Sequence, residues 1–195
     1  VVTTKAKTVA SSNDPFANAT RTAAGGLLSA EGTAERPTGP ILGPSALDLV
    51  ALNAHWELGV ELLAKGADPN YDGNGYTALT QVALTRRIPP VKGVPPPVPT
   101  GRLDSMAFAK ALVAHGANLN ARLKKEPKDG VRNNLNRVGS TAYVMAAKLA
   151  DAELMRFLAE SGADTQMPTE GGTTPLMVAS GVGIFQLGES VGTNE

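Results

Sequence analysis

Apolar residues fall at helical spacing in two runs of similar build, Glu57-Leu58-Gly59-Val60-Glu61-Leu62-Leu63 and Glu153-Leu154-Met155-Arg156-Phe157-Leu158. Residues three and four apart share one face of an α-helix, so each run predicts a helix with one apolar face to bury. Gly66 and Gly162 follow the runs and predict where they stop, because glycine enters the left-handed conformation of a helix end without a Cβ clash. A second kind of segment carries small side chains: Val50-Ala51, Val82-Ala83, Ala146-Ala147 and Val178-Ala179. Each follows Ser45, Thr77, Thr141 or Thr174, whose hydroxyl accepts from the orphan amides of a first helical turn. Pro175 suits that turn as well, since no N–H is needed there. The pattern predicts helix pairs, each with a slim first helix that permits close approach and a bulkier second helix.

The pairs recur. Gly66-Ala67-Asp68-Pro69-Asn70 returns as Gly116-Ala117-Asn118-Leu119-Asn120 and as Gly162-Ala163-Asp164. A second landmark opens each unit: Gly43-Pro44-Ser45-Ala46, Gly75-Tyr76-Thr77-Ala78, Gly139-Ser140-Thr141-Ala142 and Gly172-Thr173-Thr174-Pro175. These starts lie 32, 64 and 33 residues apart. The landmarks assign the long middle interval to insertions rather than to a hidden copy. Gly43 to Asn70 spans 27 residues but Gly75 to Asn120 spans 45, and Asn70 to Gly75 spans 5 but Asn120 to Gly139 spans 19. No unit buries its apolar face alone, so the units must stack, and about three or more are needed for a stable array. Leu62, Leu63, Leu112, Val113, Phe157 and Leu158 are the expected core.

From residue 43 to 182 the chain resembles the ankyrin-repeat family. Ala54-His55-Trp56-Glu57 stands where that family has Gly-His-x-Glu, and Thr174-Pro175-Leu176-Met177 where it has Thr-Pro-Leu-His. The resemblance implies an all-α solenoid of helix-turn-helix units with β-turn tips and long inserted loops. It divides the chain into an irregular segment or linker at 1–42, a repeat at 43–74, a repeat at 75–138 with insertions at about 85–103 and 121–138, a repeat at 139–171, and at 172–195 the start of a further repeat with a Gly-rich tail. Two departures stand out. Asp48, Thr80, Val144 and Met177 replace the family's first-helix histidine, so its bond to the capping hydroxyl is expected to be missing throughout, and Glu61 holds a position usually given to leucine. The long loops are similar to those of large bacterial arrays, where a phrase like Gly101-Arg102-Leu103-Asp104-Ser105 precedes a second helix and more repeats follow. A continuation beyond Glu195 is expected on that basis, and Val1 in place of methionine points to a processed or excised chain.

The first insertion holds Pro89, Pro90, Pro95, Pro96, Pro97 and Pro99, which favour an extended polyproline conformation. Two readings apply, a loop packed on its own array and a lid or docking ligand, for which Pro96-Pro97-Val98-Pro99 has PxxP spacing, and the packed loop is preferred. The second insertion sets Arg122, Lys124, Lys125, Lys128, Arg132 and Arg137 against Glu126 and Asp129. It reads as a solvated basic loop before it reads as a phosphate site, because no aromatic residues are interleaved for stacking. In 1–42, Asn18-Ala19-Thr20 matches a glycosylation sequon and Thr22 to Ala30 is the one helix candidate.

Composition narrows function. Eighteen basic and eighteen acidic residues balance in a chain of 195, with 42% hydrophobic and 4% aromatic residues, which argues against nucleic acid or a membrane surface as the main partner. No apolar run approaches the about 18 residues of a membrane span. The lack of cysteine removes thiol chemistry and leaves the compartment open, a secreted or periplasmic setting being preferred to the cytoplasm. His55 and His115 are the only histidines, and both sit inside repeat motifs where structural roles account for them. No zinc-ligand cluster or phosphate-binding Gly-x-x-x-x-Gly-Lys occurs, and Gly181-Val182-Gly183 follows a predicted helix rather than a strand. Asp68 and Asp164 occupy equivalent turn positions, where a carboxylate orders the backbone locally. No catalysis, cofactor or metal is expected.

Binding is the expectation that remains, carried by the surface of turn tips and first helices that the family resemblance implies. One repeat would present Tyr71, Asn74, Tyr76, Gln81, Leu84 and Thr85, the next complete one Arg137, Val138, Ser140, Met145, Lys148 and Leu149. Tyr71 and Tyr76 are the preferred anchors, since tyrosine offers rigid contact area with a polar tip. The expected partner is a protein. The alternative is a structural element that self-associates through its terminal repeats or stiffens a larger chain.

Overall fold

A computed structural model describes residues 43–87, 97–128 and 134–184, all within one compact unit, Leu42–Glu195. The segment 1–42 with its sequon and helix candidate, residues 88–96 of the proline-rich insertion, residues 129–133 of the basic insertion, and the tail from residue 185 lie outside the described residues.

Among the described residues every regular element is an α-helix: α1 Ala46–Leu52, α2 Trp56–Ala64, α3 Ala78–Thr85, α4 Ser105–Ala114, α5 Ala142–Lys148, α6 Ala152–Glu160 and α7 Pro175–Ala179. The helices pair as α1 with α2, α3 with α4 and α5 with α6, and the first helices form a contact series from α1 through α3 and α5 to α7, while α2 packs on α4. The first insertion separates α3 from α4 along the chain without breaking their pairing, and the second falls between α4 and α5.

Helix ends account for much of this regularity. Ser45, Thr141 and Thr174 accept from the amides of Asp48, Val144 and Met177, and Asp104 and Asp151 cap α4 and α6 in the same way. His55 before α2 and Thr77 before α3 make no such bond. The Thr77 hydroxyl pairs with that of Thr80 at 3.3 Å instead of capping α3. This corrects, in that unit, the expectation that residues in place of the histidine make no bond to the capping hydroxyl. Asp48 accepts instead from the Ser45 backbone N–H at 2.8 Å to complete a capping box. At the C-termini, Gly66, Gly116 and Gly162 have φ of 87°, 84° and 96°. The amide after each glycine reaches back to Leu62, Leu112 and Leu158, all at 3.0 Å, a Schellman closure repeated three times. Ala54 and Ala150 hold the same left-handed position after α1 and α5 at φ 58° and 50°.

The core is built from the small-residue faces of the first helices, with Ala51, Val82, Ala83, Ala146 and Val144 fully or almost fully buried, and from Phe108, Leu112, Leu154 and Leu158 of the second helices. Of the expected core, Leu63, Leu112 and Leu158 are buried. Leu62, Val113 and Phe157 only lean against it half-buried, because each occupies the edge of its helix face. The rings of Trp56 and Phe108 stand 5.7 Å apart, joining α2 to α4 beside Gly59.

A polar ladder runs along the turns. Asp68, Asn118 and Asp164 each accept the amide two residues on, at 2.8, 3.0 and 2.9 Å, the turn-ordering role expected of Asp68 and Asp164. Asn70 and Asn120 then cross to the next unit. The Asn70 side chain accepts the Asn118 N–H at 2.6 Å and donates to the Gly116 carbonyl at 2.9 Å, and the Asn120 side chain accepts the Asp164 N–H at 2.8 Å. These rungs were not foreseen, although the recurrence of Asn at the fifth place of the motif was their signal.

Candidate partner-binding surface

The tips that join each second helix to the next first helix form a surface beside α3 and α5. Tyr71, Asn74 and Tyr76 stand in the turn between α2 and α3, Leu84 on α3, Val138 before α5 and Lys148 on α5, all half-buried. Tyr71 folds over its own turn, where a Cβ on Gly73 would collide with its hydroxyl. Tyr76 packs against the core cluster.

The other candidates are buried, which corrects the expectation that they face a partner. Gln81 and Thr85 are covered because α3 lies between α1 and α5, and the Thr85 hydroxyl donates to the carbonyls of Gln81 at 2.9 Å and Ala51 at 3.2 Å. Met145 on α5 and Leu149 at its C-terminal cap are buried, α3 and α7 flanking the helix. Arg137 is pinned under its own insertion, its guanidinium 2.6 Å from Glu126 and donating to the Pro127 carbonyl at 3.0 Å. Ser140 is fully buried, its backbone carbonyl accepting the Leu123 N–H at 2.8 Å.

An open groove of ≈ 780 Å³ follows the polar ladder, lined by Asn70, Asp72, Asn118, Arg122, Lys124 and Glu170. The basic insertion contributes to its wall, yet Arg122, Lys124 and Lys125 are engaged within the fold. Lys124 pairs with Asp72 at 2.6 Å, Lys125 donates to Asn74 at 3.3 Å, and Arg122 donates to the carbonyls of Gly139 and Pro168 at 2.9 and 2.7 Å. The described end of the proline-rich insertion is likewise packed on its own array. Thr100 meets His55 Nδ1 at 2.7 Å, and the Arg102 N–H donates to Glu57 at 2.6 Å. His115 caps α4 with its Nδ1 2.8 Å from the Ala111 carbonyl.

Two charged groups sit deeper. Burial raises the Asp48 carboxyl above the usual aspartate range, against the bonds from Ser45 that favour its charged form, and Asp48 Oδ1 has no hydrogen-bond partner among the described residues. Burial disfavours the Arg86 charge too, but bonds to Asp151 at 2.7 Å and Glu153 at 2.6 Å outweigh it and raise its pKa, while Ser105 accepts a third bond. Arg86 therefore ties the end of α3 to the starts of α4 and α6. Arg87 beside it donates to the Ala150 carbonyl.

Among the described residues no three His, Asp or Glu side chains converge as a metal site, and no helix is long and apolar enough to cross a membrane. Compared with protein-family models, the chain matches none, and a search of curated proteins returns no match.

Proposed function

We propose that the chain is an ankyrin-type repeat array acting as a non-catalytic scaffold that binds a protein partner along its turn tips and first helices. One observation carries this reading. The helix closures and the Asn ladder recur from unit to unit, while the tip residues that follow them change, from Tyr71-Asp72-Gly73-Asn74 to Ala121-Arg122-Leu123-Lys124 to Met167-Pro168-Thr169-Glu170. A constant backbone displaying variable side chains is how a repeat protein separates folding from recognition. Tyr76, Leu84 and Lys148 are the preferred contact residues, being half-exposed on adjoining elements, with Tyr71 and Asn74 at the edge of the same surface.

The test is affinity capture from the native source with wild-type chain and with Tyr76→Ala and Lys148→Ala variants, each paired with a melting curve. A protein retained by the wild type and lost with variants that melt within about 2 °C of it supports the reading. Equal retention by all three rejects this surface. A second reading, a self-stacking structural element, is favoured by the leucines left uncovered at both ends of the helix series.

A further inference from the structure

The junctions between successive helix pairs are not built alike. Where the first pair meets the second, α2 packs on α4, Gly59 admits the Phe108 ring close to its backbone, and Trp56 flanks that ring at 5.7 Å. The Asn70 side chain adds two bonds across this junction, from the Asn118 N–H and to the Gly116 carbonyl. Where the second pair meets the third, the first helices still pack, α3 on α5, but the backbones of α4 and α6 scarcely approach one another. Asn120 gives one side-chain bond there, from the Asp164 N–H. The tip side of the same junction is stitched, the Leu123 N–H donating to the Ser140 carbonyl and the Gly139 N–H to the Leu123 carbonyl, both at 2.8 Å.

A charged side chain spans the second helices instead. Arg86, at the end of α3, stands 2.7 Å from Asp151 and 2.6 Å from Glu153 at the start of α6, and donates to the Ser105 hydroxyl at the start of α4 at 2.9 Å. Its side chain is 10% exposed and that of Asp151 2%. Arg87 donates to the Ala150 carbonyl just before α6. An apolar interface is held over its whole area, whereas a guanidinium fork is held at the one set of positions that satisfies its acceptors.

We infer that the junction between α4 and α6 is a joint latched by Arg86, about which the α5–α6 pair swings as a body on a pivot made by the α3–α5 packing and the tip-side bonds. Released from its acceptors, the joint opens on the side of the second helices and leaves the series of first helices intact, a hinge motion. Tyr76 and Leu84 lie on one side of the joint and Lys148 on the other, so its setting fixes the angle between those surfaces. The joint rests on the junctions themselves and on no partner.

The experiment is electron paramagnetic resonance on the full chain carrying pairs of spin labels. The chain has no cysteine, so labels attach only where one is introduced. Lys110→Cys with Arg156→Cys spans α4 and α6, and Glu61→Cys with Lys110→Cys spans α2 and α4, all at exposed positions. Each pair is measured with Arg86 intact, with Arg86→Met, which removes the latch, and with Arg86→Lys, which keeps the charge without the planar fork that meets three acceptors. With Arg86 intact both distances are expected to be narrowly distributed. In Arg86→Met the α4–α6 distance is expected to lengthen by more than the width of that distribution, in Arg86→Lys by less, and the α2–α4 distance to stay unchanged in both. Arg86→Lys keeps the test decisive where Arg86→Met loses its helical circular dichroism. An α4–α6 distance unchanged in the folded variants overturns the latch. Lengthening across both junctions together overturns the joint, since the array then yields as one cooperative body.

Discussion

Replacing Gly59 by alanine sets two opposed effects against each other, and the structure decides between them. Gly59 lies inside α2, where alanine ordinarily gains about 1 kcal/mol through helix propensity. Here the new Cβ would lie 2.7 Å from Phe108 Cζ and 2.9 Å from Val50 Cγ1, closer than real Cβ contacts come. Phe108 is fully buried with Trp56 on its flank, and Val50 is 4% exposed. The clash therefore comes from α4 and α1 together, and neither can retreat into solvent. Overpacking of a dense core costs about 1–3 kcal/mol, and a ring edge that must move as a rigid body belongs at the upper end. The net expectation is a loss of about 1–2 kcal/mol, or about 2–8 °C in melting temperature for a unit of this size. Urea unfolding followed by circular dichroism should show a lower midpoint with unchanged slope. Combining Gly59→Ala with Phe108→Leu should recover part of the loss, since the shorter side chain vacates the space. A raised midpoint for Gly59→Ala would refute the close approach of α2 and α4 at this residue.

Ala150→Gly should raise stability by about 0.5–1 kcal/mol, because Ala150 is exposed at φ 50° and its left-handed strain outweighs the flexibility glycine adds to the unfolded chain. Ala54→Gly should gain less, since the Ala54 methyl is buried; a thermal melt ranks the two. Arg86→Met should cost about 3–5 kcal/mol by leaving Asp151 buried without its cation, whereas Glu153→Gln should cost under about 0.5 kcal/mol because Glu153 is 65% exposed. Equal denaturant midpoints for those two variants would refute the burial argument. Asp48 binds its proton more tightly folded than unfolded, so its carboxyl costs the fold increasing stability as pH rises from the unfolded value through the raised folded one. The advantage of Asp48→Asn over wild type should be larger at pH 7 than at pH 3, and a pH-independent difference in unfolding midpoint would reject the raised pKa.

What the sequence by itself determined was most of what is written in local hydrogen-bond chemistry, the cap expected at Thr77 excepted. The caps at Ser45, Thr141 and Thr174 and the closures at Gly66, Gly116 and Gly162 involve residues three to five apart, so residue type and spacing suffice to read them. The end of the first insertion was legible from the resemblance, with Asp104 capping α4 where the phrase Gly101-Arg102-Leu103-Asp104-Ser105 was expected to precede a helix. Which faces are covered was decided only by the tertiary structure. Gln81, Thr85 and Met145 stand on first helices that neighbours flank on both sides, and no local pattern distinguishes a helix edge that meets solvent from one that meets another helix. Arg122, Lys124, Lys125 and Arg137 read as a basic patch in one dimension, but in three each has a partner, the carboxylates of Asp72 and Glu126 for Lys124 and Arg137 and the neutral oxygens of Gly139 and Asn74 for Arg122 and Lys125. The Asn ladder shows the division most clearly. Its residues repeat in the sequence, yet its bonds span 44 to 48 positions, and only stacking brings one turn within reach of the next.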